Sequence, residues 1–138
     1  MSGMEDFNRA IIEEFRSHGG KVGGPFEGTP VLLLTTTGAR TGQQRTTPVV
    51  YLPDGQRMII FASKAGAPEN PGWYHNLVAN PKVTVEVGSE TAEAEAVVLE
   101  GEERDRLFQQ QADLHPQFHE YAERTTRQIP VIELRRTA

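Results

Sequence analysis

The chain has 138 residues, 37% apolar and 24% charged, with a formal net charge of −5 and no cysteine. That length fits one domain with one economical core, and the acidity argues against nucleic acid as a partner, because a duplex binder needs a basic face. The missing cysteines exclude disulfides, iron–sulfur clusters and thiolate catalysis, and no apolar run is long enough to span a bilayer.

Phe7, Ile11, Ile12 and Phe15 recur at helical spacing among charged residues, which predicts an amphipathic helix over about 5–17 that stops at Gly19-Gly20. Five glycines between Gly19 and Gly28 read as a flexible connector, more a plain linker than a cover over a site. Val31 to Thr36 is an apolar, threonine-ended run suited to a buried strand. Thr46 to Leu52 and Arg57 to Ala62 follow as strands, and Asp54-Gly55 between them predicts a hairpin whose type I′ turn needs positive φ at both central positions. Asn70-Pro71 predicts a helix start, with Asn as cap and Pro in the first turn, running through Trp73 to Leu77 and ending before Asn80-Pro81.

Val83, Val85 and Val87 alternate on one face of a strand over 82–87, Gly88-Ser89 turns the chain, and Thr91 to Leu99 forms the next strand. Glu102 to Leu114 and Pro116 to Arg124 read as helices, and Ile129 to Leu134 as a last strand. Six short strands with peripheral helices place the chain in the α+β class, as an antiparallel barrel. The expected organisation is a single domain over 1–138, with the N-terminal helix, the connector 19–28, and the barrel and its helices over 30–135. The first residues lack the basic and apolar regions of a signal peptide, so a cytoplasmic location is expected.

The charge map is the most informative feature. Between Gly38 and Lys64 the chain carries Arg40, Arg45, Arg57 and Lys64 against a single acid, Asp54. Arg40 lies in the loop Gly38-Ala39-Arg40-Thr41-Gly42, where freed backbone N–H groups and a guanidinium suit phosphate or carboxylate oxygens. The competing reading, a solvated hairpin whose arginines pair with the acidic helices, stands level with it on composition alone. The loop lacks the lysine and spacing of a Walker motif, no Gly-x-Gly-x-x-Gly opens a helix after a strand, and no Gly-x-Ser-x-Gly elbow exists. His115 and His119 share a helical face with Glu120 beside them, but they lack the zincin pattern, so no metal is expected.

Four segments in order carry a resemblance. They are Leu34 to Gln43 with Arg45 and Pro48; Ala62-Ser63-Lys64-Ala65-Gly66-Ala67; Asn70 to Leu77 with Asn80-Pro81; and Arg127-Gln128-Ile129-Pro130-Val131. Together, from about Phe7 to Leu134, the chain resembles the deazaflavin-dependent nitroreductase family of the split β-barrel flavin-binding superfamily. The resemblance implies a split barrel and the deazaflavin coenzyme F420, whose tail carries a phosphate and a polyglutamate chain.

By position it implies that Ala39, Arg40, Thr41 and Arg45 face the anionic tail, and that the strand Thr46, Thr47, Pro48, Val49 and Val50 runs along the ring system. Phe61, Ala62, Ser63 and Lys64 would contact the ring and phosphate region, with Gly72, Trp73, Tyr74, His75 and Asn76 completing the cradle at a helix start. The implied reaction is hydride transfer from reduced F420 to an electron-poor acceptor (a quinone, an enone or a nitro compound), with the protein supplying position and electrostatics.

Tyr121 and Ser63 are the candidate proton donors beside solvent. His115 and Phe118 stand where the prodrug-reducing relative has tyrosines, and Phe118 has no hydroxyl to donate, which counts against nitro-drug reduction. The alternative function is a non-catalytic F420-binding carrier, which needs the same cradle. The expected partner is a small-molecule hydride acceptor, with no nucleic acid and no transmembrane segment. Peripheral membrane contact stays open, as does the choice between monomer and homodimer.

Overall fold

A computed structural model describes residues 3–23, 29–54, 57–63, 66 and 69–137, with side chains from Phe7 onward. In chain order the elements are helix α1 (Gly3–Ser17), strands β1 (Val31–Thr37), β2 (Gln44–Asp54) and β3 (Arg57–Phe61), helix α2 (Gly72–Ala79), strands β4 (Lys82–Val87) and β5 (Glu90–Val98), helices α3 (Gly101–Leu114) and α4 (Gln117–Arg124), and strand β6 (Val131–Arg136). All six strand pairings are antiparallel and close a barrel in the order β1-β2-β3-β6-β5-β4. Closure comes from β1 against β4, through Leu33↔Glu86, Leu34↔Val85 and Thr35↔Thr84. The expected α+β, six-stranded antiparallel barrel with peripheral helices is therefore what the chain forms.

Side-chain alternation divides the apolar residues into three compartments. Leu32, Leu34, Met58, Ile60, Val83, Val85, Ala94, Ile132 and Leu134 fill the barrel, and Leu77 of α2 plugs one end with Trp73 and Tyr74 packed against it. On the outer face, Ile59, Phe61 and Val131 meet Leu107, Phe108 and Ala112 of α3 and Phe118 of α4. The stripe of α1 buries Phe15 on Val31 and Leu33, with Ile12 and Val50 alongside.

Topology sorts the loops between the barrel's two ends. The β1–β2 loop, the segment between β3 and α2, the α2–β4 connection and the crossover from β5 to β6 all lie at the end α2 plugs. The β2–β3 and β4–β5 turns lie at the other. Two local expectations need correcting. The pair Asp54↔Arg57 leaves two residues, 55–56, between β2 and β3, so Asp54 belongs to the strand; the turn residues Gly55 and Gln56 lie outside the described residues. Pro71, not Asn70, is the N-cap of α2, and it offers no side-chain cap. The Asn70 amide is engaged elsewhere. Of the glycine connector, Gly24 to Gly28 also lie outside the described residues.

At the end opposite α2, Arg57 donates to Asp54 at 3.2 Å and to Glu133 at 3.1 Å, and pairs with Glu103 of α3 at 3.3 Å. Burial pushes the Glu133 carboxyl up, but hydrogen bonds from Arg57 and Arg135 outweigh it and hold the group below the usual carboxylate range. A depressed folded pKa stabilises the fold above the unfolded value and ceases to do so as pH falls through the folded value. Glu133→Gln is expected to cost about 1–2 kcal/mol at pH 7, a penalty that fades below about pH 4. Urea unfolding at pH 7 and pH 3 checks this; an equal penalty at both would contradict the role assigned to the carboxylate.

Candidate functional site

The loop between β1 and β2 is built by its own backbone. Gly38 N–H donates to Gln43 O at 2.7 Å, Gly42 N–H to Gly38 O at 3.0 Å, and Gln43 N–H to the Thr41 hydroxyl at 3.2 Å. Gly42 takes φ +70°, and a Cβ on Gly38 would stand 2.7 Å from Thr41 Oγ1, so the tight turn favours glycine at both positions. Asn76 of α2 clamps the loop to the barrel: its Oδ1 accepts from Ala39 N–H at 3.0 Å and its Nδ2 donates to the buried Thr36 hydroxyl at 3.2 Å. Asn80 adds a bond to Thr37 O at 3.3 Å.

Among the described residues, the exposed Arg40 and Arg45 have no acid within ion-pair distance, and the N–H groups of Arg40 and Thr41 have no acceptor. Arg57, by contrast, pairs with three acids at the far end of the barrel. The sequence cluster of four cations is thus not one patch: Arg57 follows the ion-pair reading, while Arg40 and Arg45 do not. Lys64 lies outside the described residues.

The strand 46–50 serves two compartments. Thr47 and Val49 share the inward face of β2, while Thr46, Pro48 and Val50 face outward, where the Thr46 and Thr35 hydroxyls hydrogen-bond at 2.8 Å and Val50 packs on the α1 cluster. A flat ligand lying on one face meets one set only. Phe61 and Ala62 are buried, Phe61 on its neighbours Phe108 and Phe118 with centroids 6.2 and 5.7 Å apart. Their segment can therefore offer a ligand the half-buried Ser63 rather than those side chains. Gly72 and His75 are exposed on α2, and Trp73, Tyr74 and Asn76 are partly so.

Arg127, half-buried after α4, ties this end together. Its Nη1 donates to Ala62 O at 3.1 Å and to Asn70 Oδ1 at 2.7 Å, and its Nη2 to Ser63 O at 2.8 Å. Burial lowers the pKa of its guanidinium, opposed by the Glu69 carboxylate. Sequence reasoning placed Arg127 in a motif without a role and read Asn70 as a cap; the pairing of an arginine with a carboxamide far along the chain left no local signal. Phe118 is a core anchor of α4, its ring 5.1 Å from that of Tyr121 and 6.3 Å from that of Phe108, while His115 closes α3 through its N–H to Gln111 O at 2.8 Å. Tyr121 stays half-buried against the same cluster.

Fold and rim together define a split-barrel protein with an exposed basic loop held against α2. The sequence model of the F420H(2)-dependent quinone reductase family matches residues 7–135, and an F420H(2)-dependent quinone reductase of Mycobacterium tuberculosis (strain ATCC 25618 / H37Rv) is 42% identical over 126 residues, 88% of this chain and 85% of the relative. Among solved structures, an F420-H2 dependent reductase at 38% identity superposes with a TM-score of 0.70, covering 76% of this chain and 93% of its own. A protein solved as a domain-swapped dimer, at 34% identity, covers 94% and 98% with a TM-score of 0.72. The chain belongs to the F420H(2)-dependent quinone reductase family. It is an F420-dependent reductase, as the four motifs implied.

Proposed function

We propose that the chain binds the tail of F420 on Arg40, Thr41 and Arg45 and uses a quinone as the physiological hydride acceptor. The observation that carries the first part is the loop itself. Two guanidinium groups without acidic partners and two backbone N–H groups without acceptors among the described residues form a donor set that fits a multiply anionic tail. Bound there, F420H2 supplies the hydride. This chain's own groups do the rest. Asn76 holds the loop against the barrel, the helix start at Gly72 adds its dipole, and Ser63 and Tyr121 remain the candidate proton donors.

Phe118 is buried among aromatic rings, so no hydroxyl at that position reaches an acceptor. An acceptor such as a quinone, which can take its proton from solvent after hydride addition, fits that setting. The relatives named as quinone reductases support the same choice. The chain works in the cytoplasm as a single domain, as a monomer or homodimer; the domain-swapped relative supports asking which, by light scattering.

Fluorescence polarisation with F420 and with FMN tests the reading. Binding of F420 well below the concentration needed for FMN, followed by oxidation of F420H2 by added quinone, is expected. Tight FMN binding with none for F420 would sink it.

A further inference from the structure

The segment 62–70 links β3 to α2 and carries Ser63 and the approach to Gly72. Three acceptors on it, Ala62 O, Ser63 O and Asn70 Oδ1, converge on one guanidinium, that of Arg127. The first two lie at the start of the segment and the third at its end. Arg127 therefore ties together the two ends of this nine-residue segment.

The base beneath that loop is also fixed. Ala62 N–H donates to Pro130 O at 3.0 Å, and Arg104 of α3 donates to Ile129 O from Nε at 3.2 Å and from Nη2 at 2.6 Å, with its guanidinium 4.7 Å above the Phe108 ring. The strap 125–130 is thus anchored to α3, and Arg127 reaches from it to the loop.

We infer that Arg127 is a positioning residue for the cofactor: by stapling both ends of segment 62–70 it sets where Ser63 and the N-terminus of α2 stand relative to the deazaflavin ring. This rests on the cradle proposed above. A planar guanidinium is suited to the task, because several N–H groups diverge from it in fixed directions, whereas an ammonium is a compact charge that cannot reproduce that spread. Holding a cation in a partly buried place carries a desolvation cost, here opposed only in part by the Glu69 carboxylate. Arg127 touches the loop and not the tail-binding arginines, so its influence falls on the ring end.

The test uses Arg127→Lys, which keeps the charge and the fold, and Asn70→Ala, which opens the staple from its far end. Affinity is measured for F420 and for the tail-less deazaflavin chromophore. Both variants are expected to lose about tenfold in affinity, by the same factor for the two ligands. With Arg127→Ala, millimolar guanidinium is expected to restore binding of both, which would not follow if the variant merely weakened the fold.

Unchanged affinity in a folded Arg127→Lys, while the wild type binds F420, would overturn this inference alone. A loss that grows with tail length would also overturn it, by making Arg127 a tail contact. Failure of the wild type to bind F420 would overturn the cradle and this inference with it.

Discussion

Replacing Arg40 with alanine is expected to weaken F420 binding by about tenfold for a cofactor with several glutamates, and less for each glutamate removed. The reason is electrostatic. Arg40 is exposed, so its pull on any one carboxylate is screened, but a polyanionic tail samples the guanidinium with several charges at once. In a protein of net charge −5, neutralising one of two unpaired cations at the rim also leaves the acidic background less opposed. The gap between wild type and variant should narrow as salt is raised. Titrations with F420 of defined tail length at two ionic strengths measure both effects, and an equal loss for every tail length would show that Arg40 does not contact the tail.

A large single-site loss of stability is expected at Gly66. It takes φ +82°, and a Cβ there would stand 2.8 Å from Tyr121 O, 3.0 Å from Tyr121 Cα and 3.0 Å from Arg124 Cβ. Two penalties add, backbone strain at a positive φ and a clash with the main chain of α4, which cannot swing aside as a flexible side chain would. Gly66→Ala is therefore expected to cost about 3 kcal/mol and to loosen α4 from the loop.

Gly42→Ala is the control. Its φ is +70°, but nothing lies within 4 Å of the added carbon, so it carries the strain alone, about 1 kcal/mol. Chemical denaturation of the two variants isolates the clash. Equal losses would mean that Gly66 is not wedged against α4.

Local pattern was enough for most of the elements. Helical spacing of Phe7, Ile11 and Phe15 marked α1, and alternation of Val83, Val85 and Val87 marked β4, because burial of one face selects residues at the period of the element. The exceptions are instructive. Asn70-Pro71 resembles a capped helix start, yet Pro71 takes the cap position and the Asn70 carboxamide serves Arg127, because a side chain that caps one helix can equally meet a donor from elsewhere. Phe118 read as a missing hydroxyl over the site; packing made it a core ring between Phe61 and Tyr121.

By itself the sequence determined the strands and helices and the tight basic loop around Arg40, which depend on residues close together in the chain, where propensity, periodicity and spacing act. F420 as cofactor followed from the family resemblance that four separate motifs carry. Tertiary structure alone decided that Arg57 belongs to an ion network at the far end while Arg40 and Arg45 stay unneutralised, and that Asn76 holds their loop in place. It alone brought Arg127 to acceptors 57, 64 and 65 positions away. Barrel closure sets such meetings, since it decides which strand ends share a rim, and no local pattern encodes that choice.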